Sequence, residues 1–375
     1  MTSAPTTAPS IRDLPPDPQP GAPRFAALDA LRFFAAAAVV LHHFTARANP
    51  SWGIPVNEAF PTFHTYTAWG AFGVDLFFVI SGFVILMTSW GRDVPAFVSS
   101  RVSRLFPAFW VCVLLSGFLL VVLWPEGKPM TLTQVAANLT MMHPAIGMGH
   151  VDGVYWTLWA ELRFYVLIAV FMAIGMTRAR ILAFALLWPP VAAIADRSGA
   201  DFLATVLISD YAPLFAGGMM LFLVLREPRS LVPWLVLGSN VLLGMAWSGG
   251  HSAWRIEQTT SVPIGQTSAS IAIVVCFALV AVAVLTPLKR ISWRWMTTLG
   301  ALTYPLYLIH EYWGWWFIRN VHAYVPSYVA LGIAIAAVLL MAWLINRFVE
   351  RPFARPLRRA VERSLRSTAS PLTNP

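Results

Sequence analysis

The chain has 375 residues, of which 58% are hydrophobic and only 11% charged, and its mean hydropathy is +0.65. Soluble domains carry about 25% charged residues to keep their surfaces wet, so a water-soluble globular fold is excluded. The net charge of +9 does not mark a nucleic-acid binder, because the basic residues sit in short runs between apolar stretches, as topology signals do.

Seven of the first 24 residues are proline, and no apolar core of signal-peptide length precedes Phe25. This composition predicts a disordered cytoplasmic tail over 1–24. Crossing a bilayer takes roughly 20 mostly apolar residues in a helix. Ten stretches qualify, at 26–44, 69–90, 106–124, 155–175, 179–195, 204–225, 231–247, 265–287, 297–318 and 325–348. The expected fold is an all-α, polytopic membrane bundle over 25–353, with no internal repeat. The fifth and seventh stretches are short enough to be tilted or partly interfacial. Past Pro352 the chain turns basic, and 354–375 reads either as a short helix on an anionic membrane face or as a frayed tail that fixes topology. Seventeen Trp and 24 Phe suit aromatic belts at the headgroup level. Cys112 and Cys276 both lie in apolar stretches, which excludes a disulfide framework.

Orientation follows from the loops. With the N-terminus inside, 19 Lys and Arg fall on inside segments and five on outside ones, namely Arg47, Lys128, Arg197, Arg255 and Arg319. Arg32 and Arg163 fall within helices. The bias predicts cytoplasmic termini and an inner-membrane, multi-pass protein.

Charged side chains cost at least about 2.5 kcal/mol each at the centre of a membrane helix, so those retained there mark function. The first stretch carries Asp29, Arg32, His42 and His43. Eleven positions separate Arg32 from His43, three helical turns plus about 20°, so the two share one face roughly 16 Å apart. His42 points about 80° away. The bland alternative is an Asp29–Arg32 ion pair with core histidines. The second stretch enters from outside and brings Asp75 near the depth of His43. Ser81 and Gly82 follow, a small pair suited to close helix approach. Glu161 in the fourth stretch and His310 in the ninth reach the same outer layer, beside Glu311. Pro305 frees a carbonyl and predicts a kink. An imidazole beside carboxylates is a suitable general base near neutral pH. On the inner side Arg101 and Arg104 are three apart and share a face. They suit a phosphate ligand, or they are simply a positive-inside loop. No metal-ligand cluster of usual spacing occurs, so no metal is expected.

Six segments together resemble the acyltransferase-3 family of membrane acyltransferases. They are LDALR at 28–32 with His43 completing an Arg-x10-His pattern, GVDLFFVISGF at 73–83, RVSRLFP at 101–107, WTLWAELRFY at 156–165, LTYPLYLIH at 302–310 and FVERPF at 348–353. Thr157 and Thr303 stand where the family more commonly has Ser. The resemblance implies transfer of an acyl group, most commonly acetyl, from cytoplasmic acyl-CoA to a hydroxyl of a carbohydrate or related acceptor. In that reading Arg32, Arg101 and Arg104 hold the CoA phosphates and His43 is the base. Asp75 or Glu161 orients its imidazole, with Asp29, Ser81, Tyr307 and His310 as further candidates. Direct attack and an acyl-enzyme on His43 both stay open. The chain ends without the hydrolase-like domain that some members carry, so a stand-alone transferase is expected. The rival class is a transporter or flippase, since buried ionisable residues mark those proteins too.

Overall fold

The computed structural model describes residues 25–368, so the tail expected over 1–24 and the last residues of the basic tail lie outside the described residues. Backbone groups in a bilayer have no water to bond, so each apolar segment must satisfy its own N–H and C=O groups, and a helix does this. No strand occurs among the described residues. In chain order the long helices are α1 (Ala26–Thr45), α2 (Gly73–Ser89), α3 (Val94–Phe118), α4 (Trp156–Ala173), α5 (Arg178–Arg197) and α6 (Ala212–Arg226). They continue with α7 (Leu231–Thr259, with a π-helical turn at Gly244–Ser248), α8 (Gln266–Leu285), α9 (Arg294–Val321), α10 (Ser327–Ile345) and α11 (Arg351–Thr368). Eight helical stretches, those of α1 to α5, α7, α8 and α10, are long and apolar enough to cross a membrane. Helix α6 has only 15 residues, and α9 has 28 but carries Arg294, Glu311 and Arg319.

All ten expected stretches fall on helix, with three differences. Helix α3 starts at Val94, twelve residues before its apolar stretch, because the Asp93 side chain accepts the Ala96 N–H (2.9 Å) and caps the helix. Arg101 and Arg104 therefore sit on a helix and not in a loop. The stretch over 204–225 is broken: a short helix, Asp201–Val206, ends in a turn before α6 begins. Finally, α7 runs on to Thr259. The segment from Arg351 is helical and packs across the start of α3, with Arg366 2.9 Å from Asp93.

The helices alternate in direction. The start of α1, the start of α3 and the end of α10 share an arginine-rich end, called here the basic end; His43 and the loop over 124–152 share the far end. Helix α1 packs on α9, α2 on α6, and α9 on α10. Gly82 on α2 meets Gly218 on α6 so closely that a Cβ on either would strike the other helix's backbone. The expected small-residue approach is thus built by two glycines. Outward-facing positions such as Phe34, Leu114, Val170, Leu187 and Ile271 are apolar and exposed, the pattern of a lipid-facing surface. Two interior prolines are matched by asparagines. Pro305 has no N–H for the Ala301 carbonyl, and Asn346 supplies one (3.0 Å); Pro189 does the same to Ala185, and Asn240 answers it (3.0 Å).

Candidate active site

Two neighbouring features occupy the middle of the bundle. The first is a cavity of about 230 Å³ walled by α1, α2, α3, α4 and α9. Its lining on α2 runs from Val74 to Thr88, which is roughly 21 Å of helix. At the basic end stand Arg32, Arg101 and the exposed Arg104. None of the three forms an ion pair among the described residues. The Arg101 guanidinium lies 5.9 Å over both Phe97 and Tyr165, and its buried Nε has no hydrogen-bond partner. Three guanidiniums against the single carboxylate of Glu161 make the cavity cationic. Glu161 itself accepts hydrogen bonds from Ser81 (3.1 Å) and Tyr165 (2.5 Å). Towards the far end Thr157 and Tyr307 are joined through their hydroxyls at 2.9 Å, and Tyr304 ties α9 to the Leu105 carbonyl of α3. Asp29 lies beside the cavity wall with its Cβ against Gly300.

The second feature is a buried histidine pair one helical turn beyond Tyr307. Tyr307 and His310 have ring centroids 5.8 Å apart, and His310 Nε2 is 3.2 Å from His43 Nδ1. Elimination fixes the protons. His43 Nδ1 is 2.9 Å from the Val39 carbonyl, and His310 Nδ1 is 2.9 Å from that of Tyr307. Carbonyls only accept, so both Nδ1 atoms carry hydrogen and both Nε2 atoms carry lone pairs. The His43 Nδ1–H is therefore shared between Val39 O and His310 Nε2. His43 Nε2 faces the far end and accepts from Arg47 Nη1 at 3.2 Å. Arg47 in turn lies 3.3 Å from the fully buried Glu311 and 5.7 Å over Trp315. His42, on the other face, bonds the Ala68 carbonyl (3.1 Å) and pins the segment before α2 to α1.

The structure thus gathers Arg32, Arg101, Arg104, Ser81, Glu161 and Tyr307 around the cavity and sets His43 and His310 just beyond it. The expected pairing of His43 with Asp75 or Glu161 is not what the helices build. Asp75 is fully buried and accepts from Ser252 (2.9 Å), held by α7, while Glu161 faces the arginines. Asp75 and Glu161 were placed by depth alone, and depth does not fix the direction in which a side chain points.

Arg47 is the residue that sequence reasoning missed. Its signal is in the sequence, four residues after His43 and so on the same face, although it falls in a loop. Behind Glu311 the far-end loop supplies Asp152. Burial, then the Glu311 carboxylate, holds the Asp152 carboxyl well above the ordinary carboxylate range. In the same loop His143 Nε2 and His150 Nδ1 lie 2.6 Å apart, and Lys128 bonds the His150 carbonyl. Burial lowers both imidazoles to about 4, so the pair is neutral at pH 7.

The family described as Acyltransferase domain (acyltransferase 3) matches residues 25–347. The exopolysaccharide production protein ExoZ of Rhizobium meliloti (strain 1021) is 38% identical over 117 residues, which cover 29% of this chain and 36% of that protein. The match thus spans about a third of the relative's length. No solved structure matches. A family match that takes in α1 through α10, and with them both the arginine-lined cavity and the histidine pair, shows that this chain belongs to the acyltransferase-3 family.

Proposed function

We propose that this protein transfers an acyl group from acyl-CoA, entering at a cytoplasmic basic end, to a hydroxyl of a cell-envelope carbohydrate that approaches from the far end. The observation that carries the reading is the cationic cavity, with three unpaired arginines at one end and the histidine pair just past the other. Guanidinium forks suit the phosphates of CoA. The length of the cavity along α2 suits an extended pantetheine arm that points the thioester past Thr157 and Tyr307 towards His43 Nε2. The basic bias of that end supports cytoplasmic termini and an inner-membrane location. The printed name of the ExoZ relative, an exopolysaccharide production protein, favours a carbohydrate acceptor, and acetyl is the family's commonest cargo.

In the reaction the acceptor hydroxyl takes Arg47's place on His43 Nε2 and gives up its proton there as its oxygen attacks the thioester carbon. The new C–O bond forms, the C–S bond breaks, and the imidazolium returns its proton to the leaving sulfur. His310 Nε2 accepts from the Nδ1–H of the charged imidazole, the part a carboxylate has in a catalytic triad. Arg47, freed from Nε2, faces the oxyanion. Residues 25–353 form the transferase unit, against which the basic helix from Arg351 packs.

Replacing Arg101 or Arg104 with Ala tests the donor site. Loss of a charge-assisted hydrogen bond, about 1.5–3 kcal/mol, raises the apparent KM for acyl-CoA by about tenfold or more. Lys rescues poorly, because it lacks the fork. Unchanged acyl-CoA kinetics in both Ala variants would return these residues to a topology role.

A further inference from the structure

A second cavity opens at the far end, and the donor chemistry makes no use of it. Its volume is about 590 Å³, and it lies between α4, the end of α5, the segment 201–211 and α7. Its existence depends on the break at 207–211. Ile208 is buried with φ of 57°, a left-handed conformation that costs a β-branched residue energy and persists where the surroundings impose it. The break turns Asp210 and Tyr211 into one wall. The π-helical turn at Gly244–Ser248, another irregularity found at functional sites, precedes His251 and Arg255 on the facing wall.

Aromatic rings and opposed charges share this lining. Trp156 and Tyr211 lie 5.4 Å apart at 32°, and Trp159 adds a third ring. Arg255 lies 4.6 Å over Trp156, and its buried Nη2 has no hydrogen-bond partner. His251 is 3.4 Å from Asp210, and Asp196 and Asp201 complete the acidic side. Three carboxylates offset two guanidiniums, so this cavity does not select an anion, unlike the donor cavity. It offers flat apolar faces beside many donors and acceptors. A neutral pyranose, with C–H faces and a rim of hydroxyls, has the matching chemistry.

The cavity lies one side-chain layer from the donor cavity. Trp156 faces one and Thr157 the other, and Phe78, which lines the donor cavity, has its ring 4.6 Å from that of Tyr211. The end of α7 also reaches the turn just after the histidine helix, since Ala48 N–H donates to the Thr259 carbonyl at 2.9 Å. We propose that the far-end cavity between α4, α5, the segment 201–211 and α7 binds a neutral sugar residue of the acceptor, anchoring the glycan so that a neighbouring hydroxyl meets His43. The proposal rests on the acyl-transfer reading above and adds a subsite to it.

The test uses the full chain in nanodiscs, labelled acetyl-CoA, and fragments of alkali-treated exopolysaccharide from the producing cells as the acceptor probe. Trp159→Ala is expected to raise the KM for the fragments about tenfold, with the KM for acetyl-CoA within about twofold and Trp159→Phe recovering most of the loss. Asp201→Asn, at an exposed position on the cavity lining, raises the fragment KM in the same direction. Transfer by the wild type with an unchanged fragment KM in both Trp159→Ala and Asp201→Asn overturns the subsite alone. No transfer from acetyl-CoA to the fragments by the wild type overturns the carbohydrate reading and the subsite with it.

Discussion

On His43 the two ring nitrogens face different partners, and this division sets what each neighbour contributes. Nδ1–H points into the bundle, to Val39 O and His310 Nε2; Nε2 points out, to Arg47. Arg47 occupies the lone pair that a base must free, so the proposed reaction requires it to move, and the oxyanion is the charge it would then meet. Losing one such donor costs about 10²–10³ in kcat. Arg47→Ala is therefore expected to lower kcat by about that factor, with a smaller change in the KM for acyl-CoA, in a steady-state transfer assay. Unchanged kcat would leave Arg47 as the structural partner of the buried Glu311 carboxylate. His310, His43 and Arg32 were legible as residues from hydropathy and spacing. Their partners were not, because helical periodicity assigns a face but not the neighbour that covers it.

At the scale of elements, irregularities carry most of what position in the sequence could not reveal. Residues 204–225 are apolar enough to read as one span, and only Asp210 and Pro213 hinted at the start of a new helix at Ala212. The proline-to-asparagine matches are equally silent in sequence, since Ala301 and Asn346 are 45 residues apart. Asn346→Ala leaves the Ala301 carbonyl unpaired in the bundle, which should cost about 1–3 kcal/mol and lower the Tm in detergent. An unchanged Tm would mean that the carbonyl finds another donor. The His143–His150 pair makes the far-end loop sensitive to acid. Both imidazoles titrate near 4 when folded and near 6.5 when unfolded, so the unfolded loop binds more protons between those values. The loop's stability is therefore full above pH 6.5 and falls as the pH drops towards 4. Hydrogen exchange over residues 139–152 should accelerate across that window beyond its intrinsic pH dependence, and His150→Gln should flatten the change. Equal pH profiles for the two proteins would contradict this.

Across the whole molecule, charge is sorted along the bundle axis. Arginines without an ion pair stand at the basic end, the histidine pair lies past the midpoint, and an aromatic cavity with three carboxylates and two guanidiniums opens at the far end. A transporter for a polar solute also needs buried charges, but it has no use for an anion site at one end and a base at the other, and it need not cleave a thioester. The proposed proton transfer rests on His43, and the adjacent His42 supplies the control. The decisive measurement is transfer from labelled acyl-CoA by His43→Ala and His42→Ala proteins in nanodiscs, with acyl-CoA binding and Tm recorded for each. The account predicts a loss of about 10²–10⁴ in rate for His43→Ala with acyl-CoA binding retained. His42→Ala, which loses only the Ala68 contact, keeps most of its activity. Near-normal transfer by His43→Ala would contradict the account and make His310 the next candidate for the base.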